Sequence, residues 1–168
     1  MPAGSTYTPI ATTTLGSAQA DVTFNSFSGY TDLVLVANVQ LSSAGQSFLY
    51  QYNGVTGNSY SFTILKGNGS SASSDRRSNV NYQIGAGWDA GLPTSSSFAT
   101  VIINIQNYAN TSTYKTSVAR GSNASGGDLT ATVNMWSSTN AITSLRFYSG
   151  SGNLNTGSTF TLYGIQAA

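Results

Sequence analysis

Leu129 to Trp136 reads LTATVNMW. Leu129, Ala131, Val133 and Met135 alternate with Thr130, Thr132 and Asn134, a period of two, which is the side-chain period of a strand and not of a helix. The spacing predicts a β-strand with one dry face, carried by Leu129, Ala131, Val133 and Met135, and a wet face carried by the threonines and Asn134. Ala99, Val101, Ile103 and Ile105 repeat the pattern thirty residues upstream, again with one apolar face. DLVLVANV, from Asp32, differs: around Leu33 to Val36 it is apolar on both sides of the pleat. That predicts a central strand covered on both faces, or covered by a second subunit.

Working outward, β-branched and aromatic residues recur in short runs divided by Gly, Asn and Ser, and no sustained helical stripe of apolar residues is present. The chain reads as all-β with about eleven strands, within a range of about nine to twelve. The expected strands run near 6–15, 21–27, 32–41, 47–52, 60–65, 80–84, 99–106, 114–119, 129–136, 142–148 and 159–165. Asn53-Gly54 is a type I′ turn signal. Many short antiparallel strands without helices bury their apolar faces by packing two sheets together, so the expectation is an antiparallel β-sandwich of jelly-roll or lectin-like type. Residues 1–168 fit a single domain with a short, arm-like N-terminus at 1–6.

Composition narrows the chemistry. The chain has no Cys, no His and no Glu, a formal charge of +1 and only 7% charged residues, against roughly 25% in an ordinary domain. Imidazole bases, thiolates, disulfides and the usual zinc ligand sets are therefore missing, so no cofactor and no metal is expected and the chain is read as not an enzyme. Low charge argues against nucleic acid as a partner. The longest apolar run, Leu33 to Ala37, is far short of the ~18 residues of a membrane span, so no membrane insertion is expected. No signal-peptide pattern opens the chain, which reads as made in the cytoplasm. Hydrophobic residues at 39%, with ten Tyr and seven Phe, supply the apolar area to fold.

Two stretches stand out as contact regions. KGNGSSASSDRRSN, Lys66 to Asn79, is glycine- and serine-rich like a phosphate loop but lacks the closing Lys-Ser/Thr and the helix such a loop needs. It reads as a long inter-strand loop exposing Arg76 and Arg77 for contact with a partner, the simpler alternative being solubilisation alone. GAGWDAGLPTSSS, Gly85 to Ser97, sets Trp88 beside Asp89; an indole face with a carboxylate is a sugar platform. The simpler alternative there is Trp88 folded back as a lid over one end of the core. Tyr50, Tyr52 and Tyr60 read as core residues, and Trp136 as a core or interface residue. The five aspartates are scattered singly, Asp21 and Asp32 at strand starts as turn-shapers.

Three segments together carry a resemblance: FSGYTDLVLVANVQ from Phe27, YNGVTGNSYSFTILKGNGSSASS from Tyr52, and GSTFTLYGI from Gly157 to Ile165. They resemble small all-β virion structural proteins of tailed bacteriophages, a group that includes capsid decoration and tail-fibre-like proteins. The resemblance spans about Tyr7 to Ile165 and contains strand and turn motifs, no catalytic signature. It implies a lectin-like or jelly-roll sandwich at the virion surface, with other virion proteins, either the major capsid protein or tail proteins, as partners. With no repetitive shaft or stalk, the chain suits a capsid decoration (cement) protein that stabilises the head by surface binding. Low charge agrees, because many copies packed on a shell would otherwise repel one another. A homo-oligomer is expected, a homotrimer first, since three-fold positions recur on such lattices. The alternative is a tail-fibre or receptor-binding protein that recognises a host surface glycan through Trp88 and Asp89.

Overall fold

A computed structural model describes residues 6–43, 45–88, 97–123 and 127–166. They form the expected antiparallel sandwich. The strands are β1 (Tyr7–Thr14), β2 (Asp21–Phe24), β3 (Asp32–Val39), β4 (Phe48–Tyr52), β5 (Tyr60–Gly67) and β6 (Ala72–Val80), then β7 (Gln83–Ala86), β8 (Ala99–Ile105), β9 (Lys115–Asn123), β10 (Leu129–Trp136), β11 (Leu145–Ser149) and β12 (Thr159–Ile165). One sheet has eight strands in the order β1-β12-β3-β8-β9-β10-β5-β6; the other has four, β2-β11-β4-β7. The chain crosses repeatedly between them, and the expected arm at 1–6 falls largely outside the described residues.

The two sheets are unequal, so the small one covers one face of the large one, and among the described residues no strand lies over the other; at Leu33 to Val36 of β3, Leu33, Val34 and Leu35 are buried while Val36 on that other side is 38% exposed. On the covered face the expected alternation holds for β8, whose Ala99, Val101, Ile103 and Ile105 are all buried. They pack with Leu33, Leu35 and Ala37 of β3, Phe160 and Leu162 of β12, and Phe24, Phe147 and Phe48 from the small sheet. The rings of Phe48 and Phe147 stack at 5.9 Å. Tyr50, Tyr52, Tyr60 and Trp136 are core residues, as read from sequence. Their edge and stacked contacts run at 5.6–6.4 Å, the range in which aromatic quadrupoles attract. Asn53 and Gly54 both take positive φ, and the Val55 N–H donates to the Tyr52 carbonyl, which closes the expected turn.

Two expectations are overturned. Lys66 to Asn79 is not a long loop: Asn68 accepts hydrogen bonds from the backbone N–H groups of Ser70 and Ser71, closing a tight turn. From Ala72 the chain returns as β6, paired with β5 at the edge of the large sheet. The sequence hid this strand because an edge strand exposed on both faces needs no apolar alternation; β6 is polar throughout its centre. Such an edge is protected by its charges and by a bulge opposite Tyr60 to Phe62.

The second correction concerns LTATVNMW. β10 is a strand, but it is turned the other way: Thr130, Thr132, Asn134 and Trp136 face the small sheet, while Leu129 and Val133 stand 54% and 55% exposed. Two physical causes are visible. First, the sheets approach closely around Gly121 of β9, where an added Cβ would collide with the Ala86 side chain of β7, so no bulky side chain fits at that point. Second, β7 is the edge of the small sheet and its outward backbone groups must be paired. Asn134 does this: the Ile84 N–H donates to its Oδ1 at 2.9 Å and its Nδ2 donates to the Ile84 carbonyl at 3.0 Å. Beside it, Ser117 of β9 bonds the hydroxyls of Tyr50, at 2.6 Å, and Tyr52, at 3.2 Å. At this end the sheets are joined by hydrogen bonds.

Candidate docking face and the tryptophan cluster

The uncovered face of the large sheet is built by strand register. Directly opposite one another across β3, β8, β9, β10 and β5 stand Val36, Ile102, Arg120, Ala131 and Leu65. The next row runs Asn104, Val118, Val133 and Thr63 from β8 to β5 and ends on Arg76 of β6. On the other side of the first row lie Thr100, Ser122 and Leu129. Five of the seven large hydrophobic residues that are exposed among those described lie here: Val36, Leu65, Val118, Leu129 and Val133. Scattered apolar residues are ordinary on a protein surface, but a contiguous aliphatic field rimmed by polar groups marks a contact region. Two shallow depressions dent it, one of about 400 Å³ beside Ile102, Arg120, Leu129 and Ala131, the other of about 270 Å³ between Thr63, Arg76, Val133 and Met135.

The four arginines divide between the two sides of the molecule. Arg146 holds Asp21 at 3.0 Å and lies over the Tyr148 ring. Arg77 is 3.5 Å from Asp75 and 5.1 Å from the Trp88 ring centre. Arg76 and Arg120, on the uncovered face, make no side-chain hydrogen bond or ion pair among the described residues. The structure thus separates the expected contact pair, because neighbours on a strand point to opposite faces. Arg76 joins the aliphatic face; Arg77 turns to the tryptophan side.

Trp88 closes a smaller cluster of Leu49, Phe62, Ile64 and Ile84. Its indole N–H donates to Asp75 Oδ2 at 2.9 Å, its ring meets the Phe62 edge at 5.3 Å, and its backbone N–H donates to Ser47 Oγ at 2.8 Å. The indole hydrogen bond, and after it the Arg76 backbone N–H, holds the Asp75 carboxyl below its ordinary value of 3.8. Trp88 thus folds back over this cluster. A shallow cavity of about 270 Å³ remains beside it, lined by Gln46, Ser47, Tyr82 and Gly150. Asp89, the second half of the expected sugar platform, lies outside the described residues.

The other described aspartates serve the fold. Asp32 accepts the Asn107 backbone N–H at 2.7 Å, the turn-shaping role expected of it, and Asp128 accepts from the Asn123 amide at 3.3 Å. Among the described residues no three His, Cys, Asp or Glu side chains group as metal ligands, and no helix is long and apolar enough to cross a membrane. Comparison with protein families, with curated proteins and with solved structures finds no match.

Sequence reasoning missed the aliphatic face and Arg120. One signal pointed to it: Trp136 shares the parity of Thr130, Thr132 and Asn134, so the bulkiest residue of the strand lies on its polar side. A tryptophan weighs more in burial than the alanine and valine opposing it.

Proposed function

We propose that this chain is a non-enzymatic virion structural protein, a capsid decoration protein that stabilises a bacteriophage head by binding its surface. The exposed aliphatic face carries the reading: the large sheet presents a broad side over which no described strand packs. The resemblance of three strand-and-turn segments to small virion proteins supports a virion role, and the lack of a repetitive shaft or stalk in the sequence favours the head over a tail fibre. The mechanism is linkage: each copy buries surface across neighbouring shell subunits and must leave before they separate, so the shell gains stability by mass action. Copies are proposed to gather as trimers at local three-fold positions of the lattice. The test is to delete the gene, purify particles and heat them. Heads without the protein burst at lower temperature and regain wild-type resistance when the pure chain is added back, and gold-labelled antibody marks heads, not tails. Equal bursting with and without the chain contradicts the proposal.

The cavity beside Trp88 favours a second reading, recognition of a host surface glycan at a tail tip, because an indole, a tyrosine and the Gln46 amide border one depression. Under that reading Trp88→Ala abolishes adsorption to host cells, and label appears on tails. Under the decoration reading adsorption is unchanged.

A further inference from the structure

The decoration reading leaves open which surface docks and what it recognises. We infer that the uncovered side of the large sheet docks on a protein surface whose centre is a carboxylate ringed by aliphatic side chains, with Arg120 as the residue that pairs with it. The identity of the partner as a shell subunit rests on the decoration reading; its chemistry rests on the face alone. The six strands from β3 to β6 at ~4.8 Å and seven or eight residues at ~3.4 Å make a side on the order of 700 Å², close to the ~800 Å² per partner of a stable specific interface. Covering it removes Val36, Leu65, Val118, Leu129 and Val133 from water in one step.

Arg120 selects the occupant. It stands between Ile102 and Ala131 in the middle row with no partner among the described residues, and docking would strip its water. A desolvated guanidinium without a counter-charge is strongly unfavourable, so the covering surface must bring a carboxylate. A second copy presenting the same face is a poor fit: its three central rows hold Arg120 and Arg76 and no acid, and the one described acid on that side, Asp32 at the end of β3, lies away from Arg120 and accepts the Asn107 backbone N–H. Edge-to-edge pairing of sheets is blocked as well. Pro9 and a bulge interrupt β1, and Asp75, Arg76 and Arg77 stud β6. A trimer on the shell therefore meets through other surfaces.

The experiment uses the full chain and heads prepared without it, measuring co-sedimentation for wild type and three variants. Arg120→Glu and Val133→Asp are expected to weaken binding by about 30-fold or more, while Thr23→Glu, exposed on the small sheet, binds as wild type. All four should give the same circular dichroism spectrum and melting curve, since these side chains point to water. In parallel, a photo-crosslinking residue replaces Val133 in producing cells, and the captured peptide is sequenced. The expected peptide carries an Asp or Glu between aliphatic residues, and its capture is lost when Arg120→Glu is added. Binding by Val133→Asp equal to wild type, with loss by Thr23→Glu, overturns the inference. So does crosslinking to a second copy of the chain, to a peptide without a carboxylate, or to nothing. If wild-type chain ignores heads, the decoration reading falls, and the crosslink decides the face by itself.

Discussion

The two ends of the sandwich solve the same problem in opposite ways. Where β3, β8 and β12 lie over β2, β11 and β4, aliphatic and phenyl side chains fill the space between the sheets and the alternation of the sequence predicts which side is buried. Where β9 and β10 lie over β7, the space is narrow and polar, held by Asn134 on the Ile84 backbone and Ser117 on two tyrosine hydroxyls. There the aliphatic side of the strand looks outward. Hydrophobic alternation reports which side of a strand is covered, by anything; it does not report by what. In the first region the cover is the chain's own second sheet, and in the second it is proposed to be another molecule.

That contrast can be broken most forcefully in the apolar end. Ile103→Ala or Leu35→Ala removes a fully buried aliphatic side chain and should cost ~2–5 kcal/mol of stability, read from urea denaturation. Equal losses from Val133→Ala would mean that the outward face is a core after all. In the polar end, Asn134→Ala leaves both edge groups of Ile84 unpaired in a buried place and should cost ~2–3 kcal/mol, with early loss of amide-exchange protection in β7. A loss confined to a few tenths would show that the amide clamp is not what joins the sheets there.

The buried tyrosines sharpen the same comparison through pH. Desolvation raises Tyr50 and Tyr52 well above the ordinary value of 10.0 and pushes Tyr60 up to about 12. The folded chain keeps protons that the unfolded chain sheds above 10.0, so this contribution is fully present below that pH and is lost as pH rises through 12 and beyond. The denaturation midpoint should hold between pH 8 and 9.5 and fall steeply from pH 10.5 upward; a flat midpoint to pH 12 would contradict the buried hydroxyl network. At the other extreme, Asp75 has its carboxyl lowered, first by Trp88, and its contribution is present above 3.8 and lost only as pH falls below it. The indole N–H resonance of Trp88 should therefore stay put down to pH 4 and move below it, and Asp75→Asn should shift it at every pH. The smallest effect belongs to the outward face of the free chain: Leu129→Thr and Val133→Thr should each change stability by no more than ~0.5 kcal/mol.

Much of this architecture is legible in the sequence because half-buried strands must alternate and turns need particular residues. Ala99 to Ile105 shows the first rule and Asn53-Gly54 the second. The core aromatics are legible too, since Tyr50, Tyr52, Tyr60 and Trp136 are too large to leave in water. β6 is not, because an edge strand open on both sides carries no pattern for its fold to enforce. The direction of β10 is hidden for a different reason. Asn134 is buried to pair one backbone edge, and no local rule says that a polar residue in a strand has a partner fifty positions away. The face that follows from this, with Arg120 at its centre, becomes visible only when register aligns five strands.

Hydroxyl-radical footprinting of the chain, free and on particles, tests that inversion most directly. In the free chain Leu65, Leu129, Val133 and Met135 should be oxidised readily and Ile103 hardly at all; on particles those four should be protected while Tyr148 on the small sheet is oxidised as before. Protection of Tyr148 with Leu129 and Val133 still reactive, or a free chain in which Leu129 and Val133 resist oxidation as Ile103 does, would contradict it.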